Sequence, residues 1–129
     1  MTYINMKKIA FPFFTSMFLV AGVAHFIVPA IFVKAMPPLF SPSLAAFLNI
    51  LVGIIEIALA IGFWTKYRQV AVYLAMLMLT SFLVLIHSWH LYIGEFPGFP
   101  EVSPVILWLR LIAQFILIYW FWLVRNERF

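Results

Sequence analysis

LAAFLNILVGIIEIALAIGFW, residues 44 to 64, decides the fold. Apart from Asn49 and Glu56, its side chains are apolar, aromatic or absent. At 1.5 Å of rise per residue, a helix of this length reaches about 31 Å, the thickness of a bilayer's hydrocarbon core. A barrel strand would need about half the residues and would alternate in polarity; this run does not alternate. Lipid offers no hydrogen-bond partner to the backbone, so such a segment must satisfy its own N–H and C=O groups, as a helix does.

Three further runs have the same character: 11–28, 70–89 and 105–124. The whole chain is 67% apolar and 9% charged, too little charge to cover a water-soluble surface. The sequence therefore predicts an all-α, polytopic membrane protein. It is one transmembrane domain over residues 1–129, an antiparallel bundle of four helices. Lys7-Lys8 followed by Ile9 to Ala24 has the pattern of a signal peptide, with Gly22-Val23-Ala24 as a cleavage site. The apolar run continues through His25 to Val28, which favours a retained first helix.

The connections support hairpins. Pro37-Pro38 stops any helix entering from Ala30–Met36, a piece expected at the interface. Pro42 suits a first helical turn. Residues 65–69 are too few for anything but a turn between neighbouring helices. Residues 91–104 are rich in Gly, Pro and acid and read as a loop. Trp64, Tyr67, Trp89, Tyr92, Tyr119, Trp120 and Trp122 lie near helix ends, as an aromatic belt would, and Trp120, Phe121 and Trp122 would equally suit a subunit interface.

The pI near 9.7 does not mark a nucleic-acid binder, because the basic residues form no face. Lys7, Lys8, Lys66, Arg68, Arg125 and Arg128 flank helix ends on one side of the hairpin pair, while Lys34, Glu95 and Glu101 fall on the other. The positive-inside rule then puts both termini on the cytoplasmic side. The chain has no cysteine, which excludes thiolate metal sites, iron–sulfur clusters and disulfide exchange.

Polar side chains inside the runs are few, and each one costs free energy in lipid unless it faces the bundle interior. They are His25, Asn49, Glu56, Ser81, His87, Arg110 and Gln114. Counting from helix ends puts His25, Asn49 and Arg110 in the outer third, Glu56 and Gln114 near the middle, His87 near the outer end and His90 at the surface. Asn49 and Glu56, seven apart, share a helix face, as do Arg110 and Gln114, four apart. Gly53 sits on the same face and permits close approach. The expectation is an outward-opening cavity lined by His25, Asn49, Glu56, His87, Arg110 and Gln114, binding a ligand or relaying protons.

A structural reading stands beside it. Glu56 and Arg110 can form a buried ion pair, Asn49 and Gln114 can serve as interhelical glue, Arg110 can snorkel to headgroups, and His25 can donate to a backbone carbonyl. Facing histidines (His25 with His87 or His90) could ligate haem, but nothing in the spacing fixes a pair, and no haem is expected. His87, His90 and Glu95 match no strong metal spacing, so no metal site is expected.

Three segments resemble the DoxX-like family of small membrane proteins. They are Ala21-Gly22-Val23-Ala24-His25-Phe26-Ile27-Val28-Pro29 with Phe32 and Met36-Pro37-Pro38, then Gly53-Ile54-Ile55-Glu56, then Leu107-Trp108-Leu109-Arg110-Leu111-Ile112-Ala113-Gln114. The order agrees over nearly the whole chain. Many such proteins carry Phe-Pro-Ala-Asn at the end of the third helix, where this chain has Val84-Leu85-Ile86-His87-Ser88-Trp89-His90, so its third helix is expected to run on unbroken. The resemblance implies four helices in a bacterial-type cytoplasmic (inner) membrane and a spread of roles. These include a small subunit of a thiosulfate:quinone oxidoreductase and assembly factors. The expected function is a membrane subunit of a redox system, interacting with quinone in the outer half of the bilayer. Arg110, Gln114, Asn49 and His25 would donate hydrogen bonds and Glu56 or His25 would relay protons. The chain has no intrinsic cofactor motif, so a membrane or redox partner would supply the electron carrier, and the chain is not expected to be an enzyme alone. The alternative is a non-catalytic assembly factor or scaffold for a larger membrane complex.

Overall fold

The computed structural model describes residues 3–129, with side chains from residue 5 onward. In order, the elements are α1 (Tyr3–Ile27), α2 (Pro29–Ala35), α3 (Pro42–Gly62), α4 (Arg68–Phe82), a π-helical turn (Leu83–His87), α5 (Ser88–Ile93) and α6 (Pro104–Val124). Among the described residues there is no β-strand, only an isolated bridge between Phe96 and Phe99. Four rods, Asn5–Ile27, Pro42–Gly62, Arg68–Ile93 and Pro104–Val124, are long and apolar enough to cross a membrane. Their outward faces agree: Val20, Ile27, Ile61, Leu77 and Ile116 are 61–71% exposed. Water would penalise that surface and lipid does not.

Local chemistry sets the helix ends. Ser41 caps α3, its hydroxyl accepting from the Leu44 N–H at 3.2 Å, and Pro42 fills the first turn where no N–H is needed. Gly94, at φ +74°, ends α5 in the left-handed conformation that glycine adopts without strain. The third rod is longer than the 70–89 expected, because His87, Ser88 and His90 lower the hydropathy there without interrupting the helix. It does run on without a break at the end of α4, but through a wider turn. The N–H and hydroxyl of Ser88 both reach the Leu83 carbonyl, the hydroxyl at 2.7 Å.

Toward the end of the molecule that holds the 63–67 turn, an aromatic cluster fills the interior. Phe14, Phe63 and Phe121 are fully buried, and Phe14 stacks on Phe121 at 3.8 Å. Phe18 meets Phe63 edge-on. Phe121 is thus core and not part of an exposed interface, and Trp120 packs on Phe13 and Phe14. Position near a helix end gave no hint of this, because the side facing α1 is set by rotation about the helix axis.

Arg68 is a second departure. The sequence marks it as a topology signal, yet it is buried: its Nε donates to the Phe63 carbonyl and its guanidinium lies 3.9 Å from the Phe11 ring. Nη1 reaches the Arg128 carbonyl at 3.3 Å. Lys7 lies within α1 and pairs with Glu127. Arg68→Lys keeps the charge but loses the planar fork and its stacking. It should lower stability by about 1 kcal/mol, read as a small fall in Tm in detergent; an unchanged Tm would show that these contacts are dispensable.

The most extensive helix contact is α1 with α3. A Cβ added at Gly22 would lie 3.0 Å from the Gly53 carbonyl, and one added at Gly53 would lie 3.1 Å from the Gly22 carbonyl. Two glycines facing each other let the backbones approach closely, as in small-residue helix packing in membranes. This contact fixes the site, because His25 and Glu56 each follow one of the two glycines by three residues, nearly one helical turn.

Candidate functional site

α1 breaks at Val28, and Pro29 starts α2 in a new direction. Proline has no N–H, so the carbonyl of His25, four residues earlier, has no intrahelical donor. Asn49 on α3 supplies one: its Nδ2 donates to the His25 carbonyl at 2.9 Å. A carbonyl only accepts, so the other side of the Asn49 amide is its oxygen, which lies 2.7 Å from His25 Nδ1. The imidazole must therefore carry its hydrogen on Nδ1. In the neutral ring Nε2 is then an acceptor, and it faces Glu56 Oε2 at 3.4 Å. Phe32 from α2 stacks on the imidazole at 3.8 Å.

Asn49 and Glu56 bracket Val52, the midpoint of α3, so His25 lies level with the middle of that helix and not in an outer third. Counting failed because α2, not more of α1, occupies the space beyond Ile27. The Glu56–Arg110 ion pair that residue types suggested is also absent. Glu56 faces His25, its side chain is 7% exposed, and Oε2 has no hydrogen-bond partner within the protein.

Arg110 on α6 instead donates from Nη1 to His90 Nδ1 at 3.1 Å, and His90 Nε2 donates to the Ala35 carbonyl at 2.8 Å. The carbonyl fixes the hydrogen on Nε2 and leaves Nδ1 free to accept. Arg110 also sits over the Phe96 ring at 4.7 Å, and that ring covers His90. His90, expected at the surface, is completely buried beneath α2 and the loop after α5. With both nitrogens used, it has none left for a haem iron. Among the described residues, no group of three or more His, Cys, Asp or Glu side chains could hold a metal.

Between these two networks lies a cavity of about 290 Å³. Its apolar lining comes from every rod and from α2: Phe18 and Ala21, Phe32, Val52, Leu79 and Ile86, and Leu117. Its polar lining is His25, Glu56, His87, Arg110 and Gln114. Of the six residues expected, five thus line one cavity, and Asn49 stands behind it holding His25. Gln114 is partly engaged, donating to the Leu79 carbonyl at 3.2 Å. His87 reaches the cavity because of the π turn. In an uninterrupted α-helix it would point about 80° away from Leu79, eight residues earlier; the wider turn rotates it onto the same wall, as π turns at functional sites do. Its buried Nδ1 has no hydrogen-bond partner within the protein.

Residue types alone gave no sign of Gly22, Phe32, the role of His90 or the π turn. Gly22-x-x-His25 repeated as Gly53-x-x-Glu56 was the available signal.

Four membrane-length apolar helices, which enclose a small, partly polar cavity, define a multi-pass membrane protein. The chain belongs to the family described as "Domain of unknown function (DUF8561)", which matches residues 14–125 and so takes in every residue of the cavity. No curated protein and no solved structure matches the chain.

Proposed function

We propose that the chain crosses a bacterial-type inner membrane four times as an antiparallel bundle, both ends cytoplasmic, and binds quinone as a membrane subunit of a redox system. The cavity carries this reading: an apolar chamber holding a guanidinium, a carboxyl group and two imidazoles between four membrane-length helices. Its volume lies at the low end for ligand sites, suited to one ring-sized head group whose apolar tail stays among the lipids. Arg110 offers N–H donors to a ring oxygen, and the His25–Glu56 pair offers a place for a proton. Lys7, Lys8, Lys66, Arg125 and Arg128 against Lys34, Glu95 and Glu101 support the orientation. The resemblance to DoxX-like proteins points the same way. Electrons would pass to or from a partner.

The second reading is a non-catalytic assembly factor. α6 favours it, being the least buried rod, with Trp108, Phe115 and Tyr119 exposed and able to receive a partner's helix as well as lipid. Purification in mild detergent from native membranes separates the two. Quinone in the lipid extract, lost from a folded Arg110→Leu variant, is the expected result. No quinone in the folded wild type, together with a larger membrane protein held on, would replace the first reading by the second.

A further inference from the structure

Two buried polar atoms of the cavity wall, Glu56 Oε2 and His87 Nδ1, have no hydrogen-bond partner within the protein, and they belong to different walls, α3 and the π turn. Leaving such atoms unpaired in an apolar interior is costly, so together they describe the ligand that would complete them. We propose that the cavity holds its ligand in the hydroxyl-bearing, reduced form, a benzoquinol, with one hydroxyl donating to Glu56 Oε2 and the other to His87 Nδ1.

Donors and acceptors decide the ligand's form, which rests on the quinone-site reading above. His25 has its one neutral-state hydrogen committed to Asn49, so its Nε2 presents a lone pair toward Glu56. A ligand carbonyl can only accept. Any proton on this pair is held between Oε2 and Nε2, so a carbonyl placed here would meet lone pairs alone. A hydroxyl supplies a hydrogen. At the π-turn wall the hydroxyl does two things at once, donating to His87 and accepting from Arg110, whose guanidinium has no carboxylate partner among the described residues. A carbonyl could answer Arg110, and His87 only where its hydrogen sits on Nδ1, whereas a hydroxyl completes either tautomer.

The test is an anaerobic calorimetric titration of the full chain in lipid nanodiscs with a decyl-tailed benzoquinol and with the corresponding benzoquinone. The quinol should bind at least ~10-fold more tightly, the scale of one well-made buried hydrogen bond. Glu56→Gln, whose amide can donate to a carbonyl, should bring that ratio toward one. His87→Leu should weaken quinol binding by ~10-fold and quinone binding less. Circular dichroism establishes that each variant is folded; if Glu56→Gln is not, His87→Leu decides. Quinone binding as tightly as quinol, or an unchanged ratio in the folded variants, overturns the reduced-form assignment and leaves the quinone site standing. Binding of neither compound overturns both.

Discussion

Gly53→Leu should separate α1 from α3 and take the site with it. A Cβ at this position would lie 2.9 Å from His25 Cβ, 2.9 Å from the Phe26 ring and 3.1 Å from the Gly22 carbonyl. Two of these neighbours, a Cβ and a main-chain oxygen, move only if a helix moves. Leucine is a better helix former than glycine by just under ~1 kcal/mol. Forcing extra carbon atoms into a packed interior costs ~1–3 kcal/mol and sometimes more, so the steric term wins for leucine, and already for alanine, whose Cβ is the atom that meets these neighbours. Thermal unfolding in detergent should show a marked loss for Gly53→Leu and a smaller but clear loss for Gly53→Ala. Gly94→Ala is the control: nothing lies within 4 Å of its added Cβ, so only the backbone strain at φ +74° is felt, about 1–2 kcal/mol. If Gly53→Leu melts where the wild type does, close approach of the two backbones is not what holds α1 on α3.

The four rods were legible because lipid leaves so little choice. A run such as 44–64 can only be a helix, and its polar members stand out by their rarity. His25, Asn49, Glu56, His87, Arg110 and Gln114 were grouped on the same ground, and all but Asn49 line one cavity. What rarity could not give was pairing. Spacing along a helix fixes which residues share a face, but not which face of the neighbour they meet. Opposite charge therefore suggested Glu56 with Arg110, where packing gives Glu56 with His25 and Arg110 with His90.

His90 was misplaced for another reason. Its depth is not set by the helix it stands on but by α2 and Phe96, which fold over it from segments that read as interface and loop. The π turn left no mark at all, since no Gly or Pro announces it, and Ser88 is an unremarked residue until its hydroxyl is seen on the Leu83 carbonyl. Arg68 and Lys7 sit where flanking charges belong, and only packing shows that one is buried on Phe11 and the other paired with Glu127.

Asn49→Leu should remove a hydrogen-bond donor that the first helix cannot replace. Pro29 leaves the His25 carbonyl without its helical partner, and Asn49 fills that gap while holding Nδ1 of the same residue. Interhelical hydrogen bonds in membranes average only about 0.6 kcal/mol. Here, however, the substitution strands a main-chain carbonyl and His25 Nδ1 in an apolar interior, each costing roughly 1–3 kcal/mol. The expected loss is thus about 2–4 kcal/mol, among the larger single-residue effects in this molecule. It should come with a chemical signature. In protein carrying ¹⁵N-labelled histidine, the wild-type His25 resonances should report a hydrogen held on Nδ1, and Asn49→Leu should release the ring to the other tautomer, turning an N–H toward Glu56. Asn49→Asp separates the two duties, because a carboxylate still accepts from Nδ1 but cannot donate to the carbonyl. It should keep the tautomer and still lose stability. If Asn49→Leu leaves both the melting temperature and the His25 tautomer unchanged, Asn49 does not set the histidine, and the acceptor that His25 turns toward Glu56 must be fixed by something else.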